Sequence, residues 1–132
     1  MAEREAIRPA GAGPSAVPLT PGIKAGGFVF VSGQTGRAVV DGQAVVGQGV
    51  TEQTRYCLEN IKAVLAAAGS GMEKVVKTTV YLTNIAEFGE MNAVYREYFT
   101  AGGMEPPART TVEVSSLANP ALVVEIEAIA LA

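Results

Sequence analysis

The sequence predicts an α+β domain in which two helices cover one face of a mixed sheet. The spacing of apolar residues switches between the two-residue period of strands and the period of helices, in the order two or three strands, helix, strand, helix, two strands. Glycine, proline or asparagine punctuates most of the switches. No linker or change of composition divides the 132 residues, so residues 1–132 form one domain, large enough to bury about two thirds of its unfolded surface.

Residues 1–22 are rich in Pro, Gly and Ala (RPAGAGPSAVPLTPG) and read as an arm, extended or partly ordered rather than helical over residues 1–18, that needs a surface to lie on. Gly26-Gly27 turns the chain into Phe28-Val29-Phe30-Val31, a β-branched and aromatic run of the kind found in buried strands. The spacing predicts that this strand stops at Ser32-Gly33-Gln34-Thr35-Gly36, a small-residue loop that reads as an ordinary turn or as a place where backbone N–H groups meet an anion. Asp41-Gly42, flanked by valines, predicts a hairpin within residues 37–49. Leu58, Ile61, Leu65 and Ala68 recur at helical spacing over Thr51–Ala68, with Cys57 and Val64 beside them, and Gly69 ends the helix. Ser70 and Glu73 have capping-box spacing ahead of a strand over Val75–Thr83, whose Val76, Thr78, Val80 and Leu82 are expected on one face. Asn84 and Glu87 repeat that spacing before a second helix. Its apolar face is Phe88, Met91, Tyr95 and Tyr98 or Phe99, an aromatic stripe that reads as core, and Gly102-Gly103 end it.

The last stretch contains the residues of most chemical interest. After Pro106-Pro107, Thr110, Val112 and Val114 alternate with Arg109, Thr111 and Glu113. A second run alternates Leu122, Val124, Ile126, Ala128 and Ala130 with Val123, Glu125, Glu127, Ile129 and Leu131. Paired as a long hairpin, the two runs would bring Arg109 and Glu125 to within about a rung or two of each other. From the residues alone the pair is either a site or an ion pair, Arg109–Glu125 or Arg109–Glu113, that closes a subunit seam.

Composition narrows the chemistry. Hydrophobic residues make up 48% and charged ones 17%, below the usual ~25%, which predicts apolar surface covered by another subunit. A net charge of −3 and the lack of a basic stripe interleaved with aromatics argue against nucleic acid as a partner. No apolar run reaches a membrane span, and MAEREAIR lacks the basic-then-apolar start of a signal peptide, which points to the cytoplasm. The absence of histidine excludes Ser-His-Asp and Cys-His nucleophiles and His-based metal sites. The lone Cys57 reads as core packing. No P-loop or dinucleotide fingerprint is present, so neither metal nor organic cofactor is expected.

The segments FVFVSGQ (28–34), EQTRYCLENIKAVLAAAGSGMEKVVKTTVYLTNIAEFGEMNAVYREYF (52–99), PPARTTVEV (106–114) and VEIEAIA (124–130) resemble the RidA/YjgF/UK114 family, also labelled L-PSP. The resemblance covers nearly everything after residue 18 in order and spacing. It implies a chorismate-mutase-like fold, a homotrimer with a central barrel and clefts between subunits, and hydrolysis of 2-aminoacrylate-type enamines and imines to 2-keto acids and ammonia without a cofactor. By the same resemblance Arg109 corresponds to the arginine that holds the substrate carboxylate, and Glu125 to the acid that positions water. Ser32 and Gly33 match a loop beside the ligand, and Asn92 a helix residue near the cleft. Thr111 stands where several deaminases carry Cys, and Leu19 where the archetypal enzymes carry Tyr; the loop after Gln34 reads TGR in place of Ile-Pro. The rival readings are a trimeric binder of small carboxylates, which needs Arg109 but not Glu125, and the RNA cleavage carried by the L-PSP label.

Overall fold

The structure is a computed structural model that describes residues 3–132, so residues 1 and 2 of the expected arm lie outside the described residues. Ten regular elements follow in order: β1 (Glu5–Ile7), β2 (Gly22–Ala25), β3 (Phe28–Thr35), β4 (Arg37–Val40), β5 (Gln43–Val46), α1 (Gly49–Ala67), β6 (Val75–Leu82), α2 (Phe88–Phe99), β7 (Ala108–Glu113) and β8 (Val124–Leu131). Six strands form one mixed sheet in the order β1-β2-β3-β8-β6-β7, while β4 and β5 make a separate hairpin. That hairpin turns at Asp41 (φ 51°) and Gly42 (φ 79°), as the sequence predicts.

Both helices pack on one face of the sheet. Cys57, Leu58, Ile61, Val64 and Leu65 of α1, with Met91, Val94, Tyr95 and Phe99 of α2, meet Val29, Val31, Val80, Leu82, Val124, Ile126, Ala128 and Ala130 from the strands. Each large aliphatic side chain fully buried here contributes about 1.5–3 kcal/mol. Cys57 is part of this core, and burial pushes its thiol pKa up. The buried Gln53 anchors α1 to the loops beneath it: Nε2 donates to the carbonyls of Gly47 and Ala121, and Oε1 accepts from the Val123 N–H.

Several expectations need correction. β7 and β8 do not form a hairpin: β6 lies between them, parallel to β7 and antiparallel to β8. The chain from β7 crosses to the far side of β6, so Arg109 aligns with Thr78 and, through it, with Ala128. β3 does not stop at Ser32 but runs to Thr35, with a bulge against β8 between Val31 and Gln34. Within it Val29 and Val31 are buried while Phe28 and Phe30 face outward, 38% and 44% exposed. A second irregularity, between Val75 and Lys77, puts Val75 in the core and Val76 outside it. Ser70 caps nothing: the short 3₁₀ turn Met72–Lys74 starts from Gly71, and the Ser70 hydroxyl donates to the Leu131 carbonyl. Asn84 does cap a 3₁₀ turn, Ile85–Glu87, that leads into α2. In the Pro/Gly-rich arm, Glu5–Ile7 pairs antiparallel with β2 and Ile7 is buried.

The sheet face away from the helices carries Phe28, Phe30, Val112 and Leu131, all at least 38% exposed. No helix is long and apolar enough to cross a membrane.

Candidate functional site

Arg109 sits on β7, an edge strand, and alternation turns its side chain toward α2 rather than to the outer face. There the guanidinium lies over the Tyr95 ring at 4.7 Å and the Phe88 ring at 5.5 Å, and Nη1 donates to Asn92 Oδ1 at 2.7 Å. Phe88, Asn92 and Tyr95 fall at i, i+4 and i+7, so one helical stripe supplies both rings and the amide. The Tyr95 hydroxyl is in turn hydrogen-bonded to the hydroxyl of Thr78, the residue beside Arg109 on β6 (2.7 Å). Burial raises the Tyr95 pKa, and Thr78 and the Arg109 cation partly offset this. Arg109 makes no ion pair among the described residues, and Glu113 instead accepts from the Ile85 N–H. The rest of its planar donor fork has no partner among the described residues, and such a fork matches the geometry of a carboxylate.

Glu125 projects from β8 on the opposite face, since its neighbours Val124 and Ile126 are buried against the helices. Its cross-strand partners are Thr35 and Tyr81. The half-buried carboxyl titrates above the ordinary glutamate value, because burial disfavours its charged form and the Glu127 carboxylate adds repulsion. Tyr81 is likewise shifted up, by burial and then by Glu127 and Glu125.

One protomer therefore does not bring Arg109 and Glu125 together, and the sequence-level ion pair between them is not formed within the chain. The sequence-predicted residues other than Leu19 divide into two candidate half-sites. Asn92 and Thr111 lie with Arg109; the Thr111 hydroxyl is buried without a partner, a donor left over on the same strand face. Ser32 and Gly33 lie with Glu125 through the β3 bulge. Ser32 also ties the arm down, its hydroxyl donating to the Thr20 carbonyl and its N–H to the Pro21 carbonyl. Leu19, 47% exposed, lines a cavity of about 270 Å³ together with Gly33, Gln34 and Thr35. Sequence reasoning missed Phe88, Tyr95 and Thr78 as supports of Arg109. The signal for them is the i, i+4, i+7 spacing of two aromatics around Asn92, a pattern that in the sequence looks the same as core packing. Among the described residues no three His, Cys, Asp or Glu side chains gather as a metal site.

The family model described as "Endoribonuclease L-PSP" matches residues 11–132. The chain belongs to the RidA/YjgF/UK114 (L-PSP) family. A RutC family protein of Pyrococcus horikoshii is 49% identical over 113 residues, 86% of each chain. A 2-iminobutanoate/2-iminopropanoate deaminase of Salmonella typhimurium is 39% identical over 89% of this chain and 90% of its own. The crystal structure of YyfA from Yersinia pestis, of the conserved Rid protein family, superposes with a TM-score of 0.88 at 38% identity, covering 98% of this chain and all of the other. The mixed sheet with two helices on one face is the chorismate-mutase-like fold of the RidA family. The three RidA-like strand segments map onto the two half-sites: PPARTTVEV carries Arg109 on β7, FVFVSGQ opens β3 and ends in the bulge, and VEIEAIA lies in β8.

Proposed function

We propose that this RidA-family chain hydrolyses 2-aminoacrylate-type enamines and their imines, 2-iminopropanoate and 2-iminobutanoate, to 2-keto acids and ammonia, in a homotrimer with sites between subunits. The observation that carries the reading is the posture of Arg109. Two rings and an amide fix the plane of its guanidinium, while its remaining N–H groups have no partner among the described residues. Such a fork binds a carboxylate by two charge-assisted hydrogen bonds and so fixes the adjacent imine carbon in space.

Hydrolysis then needs little more than a positioned water. The Glu125 carboxylate accepts a proton as water adds to the electrophilic iminium carbon and returns it to nitrogen; the C–N bond of the tetrahedral adduct then breaks, ammonia leaves, and the carboxylate takes the proton that the adduct's hydroxyl gives up as the carbonyl forms. A carboxyl held above its ordinary value by burial suits both directions of that transfer. Because Arg109 and Glu125 stand on opposite faces of one sheet, a complete site takes Arg109, Asn92 and Thr111 from one copy and Glu125, Gly33 and Ser32 from another. The exposed apolar face with Phe28, Phe30, Val112 and Leu131 supports the same assembly, since a monomer would leave it in water. The similarity to an imine deaminase of Salmonella typhimurium supports the substrate class.

The test generates 2-aminoacrylate or 2-iminobutanoate in situ and follows imine loss with and without the protein. Faster decay is the expected result. Unchanged decay of every small imine, with a keto acid still bound, would move the assignment to a carboxylate binder.

A further inference from the structure

We propose that Gly33 is a positioning residue: the notch left by its missing side chain holds the Glu125 carboxylate in its working place, and that contact, not backbone conformation, is why glycine stands there. The kinetic part of the test rests on the deaminase reading above; the titration part does not.

Gly33 is not among the glycines with a left-handed backbone, so its φ alone would accept other residues. Space would not. A Cβ built on Gly33 would lie 2.9 Å from Cδ and 3.2 Å from Cγ of Glu125, and closer still to Oε2. These are the atoms of the reacting group itself. A glycine within a strand often marks such a close approach. The bulge makes the approach possible: Val31 pairs with Ala128 and Gln34 with Ile126, so three steps along β3 match two along β8 and the extra residue falls at Ser32-Gly33.

Among the described residues no ion pair holds the Glu125 carboxylate, and no hydrogen bond contributes to its titration. The titratable groups that face it are Glu127 on its own strand, Tyr81 on β6 and Cys57 behind the sheet on α1, and none is a cation. Contact with the bare Gly33 backbone therefore both orients the carboxylate and keeps water from one side of it. Filling the notch drives the carboxylate outward, away from a water lined up on the imine carbon.

The experiment compares wild type, Gly33→Ala and Glu125→Asp in the assembled protein. It uses imine hydrolysis across pH and a carboxyl-carbon NMR titration of Glu125. In Gly33→Ala, kcat should fall about 10²-fold, the scale of a misplacement of about an ångström, with KM nearly unchanged because Arg109 still binds. The acid limb of the profile and the Glu125 titration should both move to lower pH as water reaches the carboxylate. A Gly33→Ala protein with wild-type kcat, pH profile and Glu125 titration overturns the proposal. If wild type hydrolyses no imine, the deaminase reading fails while the titration still decides: a downward shift in the variant supports the notch and an unchanged titration refutes it. If Gly33→Ala does not fold, Glu125→Asp, which draws the carboxylate off Gly33 without altering β3, decides in the same way. Its carboxyl should titrate nearer the ordinary aspartate value, and a carboxyl still raised as in wild type overturns the proposal.

Discussion

In the proposed mechanism two charged residues divide the work, and each should fail in its own way when replaced. Arg109→Ala removes the only planar cation of its half-site, so keto-acid binding measured by calorimetry and imine turnover should both disappear. Arg109→Lys should rescue little, because an ammonium has no fork to match a carboxylate and loses the stacking on Tyr95 and Phe88. Glu125→Gln keeps shape and loses the basic oxygen: keto-acid binding should survive while turnover falls by ~10²–10⁴-fold. The same variant has a stability signature. The folded-state pKa of Glu125 is raised, so its protonated form favours the fold; that contribution is complete below the unfolded pKa and is lost as pH rises through the folded pKa. Glu125→Gln should therefore match wild type in acid and be the more stable protein at neutral pH, in urea titrations at fixed protomer concentration. Equal stability at both pH values would mean that the carboxylate is not strained by burial.

At the scale of elements, the sequence made the helices and most strands legible because their periods are strong and their ends carry Gly26-Gly27, Asp41-Gly42, Gly69 and Asn84. What it hid was anything set by pairing partners. Val112 and Arg109 alternate as any strand residues do, and nothing local says that the arginine faces the helix layer and the valine faces outward. Only the ring pair and amide of α2, some twenty residues earlier in the chain, make that orientation affordable. Phe28 and Phe30 misled for the complementary reason: an apolar run predicts burial, but not whether the covering surface belongs to the same chain. The bulge at Ser32-Gly33 was invisible as a bulge because small residues between Val31 and Gln34 read equally well as the end of a strand. Gln53 shows how a polar residue inside α1 can hold elements together. Gln53→Ala would strand the carbonyls of Gly47 and Ala121 and the N–H of Val123, at about 1–3 kcal/mol for each group left buried and unpaired. A loss of about 3 kcal/mol or more in urea unfolding is expected, and a loss under about 1 kcal/mol would mean that water replaces the amide.

For the molecule as a whole, the proposed mechanism requires that neither half-site works alone and that the two meet only between copies. The surface Arg55–Glu97 bridge that links α1 to α2 on the outside contributes little to this, since solvent screens so exposed a pair. In the proposed assembly the open sheet face, by contrast, would both drive association and carry Glu125 toward a neighbouring Arg109. The direct test mixes Arg109→Ala and Glu125→Gln proteins, each inactive or nearly so, and lets them exchange subunits at equal concentration. An intersubunit site draws its arginine from one protomer and its glutamate from the next, so random exchange in a cyclic trimer should make about a quarter of the sites fully wild type. Imine hydrolysis should accordingly recover to about a quarter of the wild-type rate. Hybrid trimers that form, as shown by native mass spectrometry, yet stay as inactive as their parents would contradict the composite site.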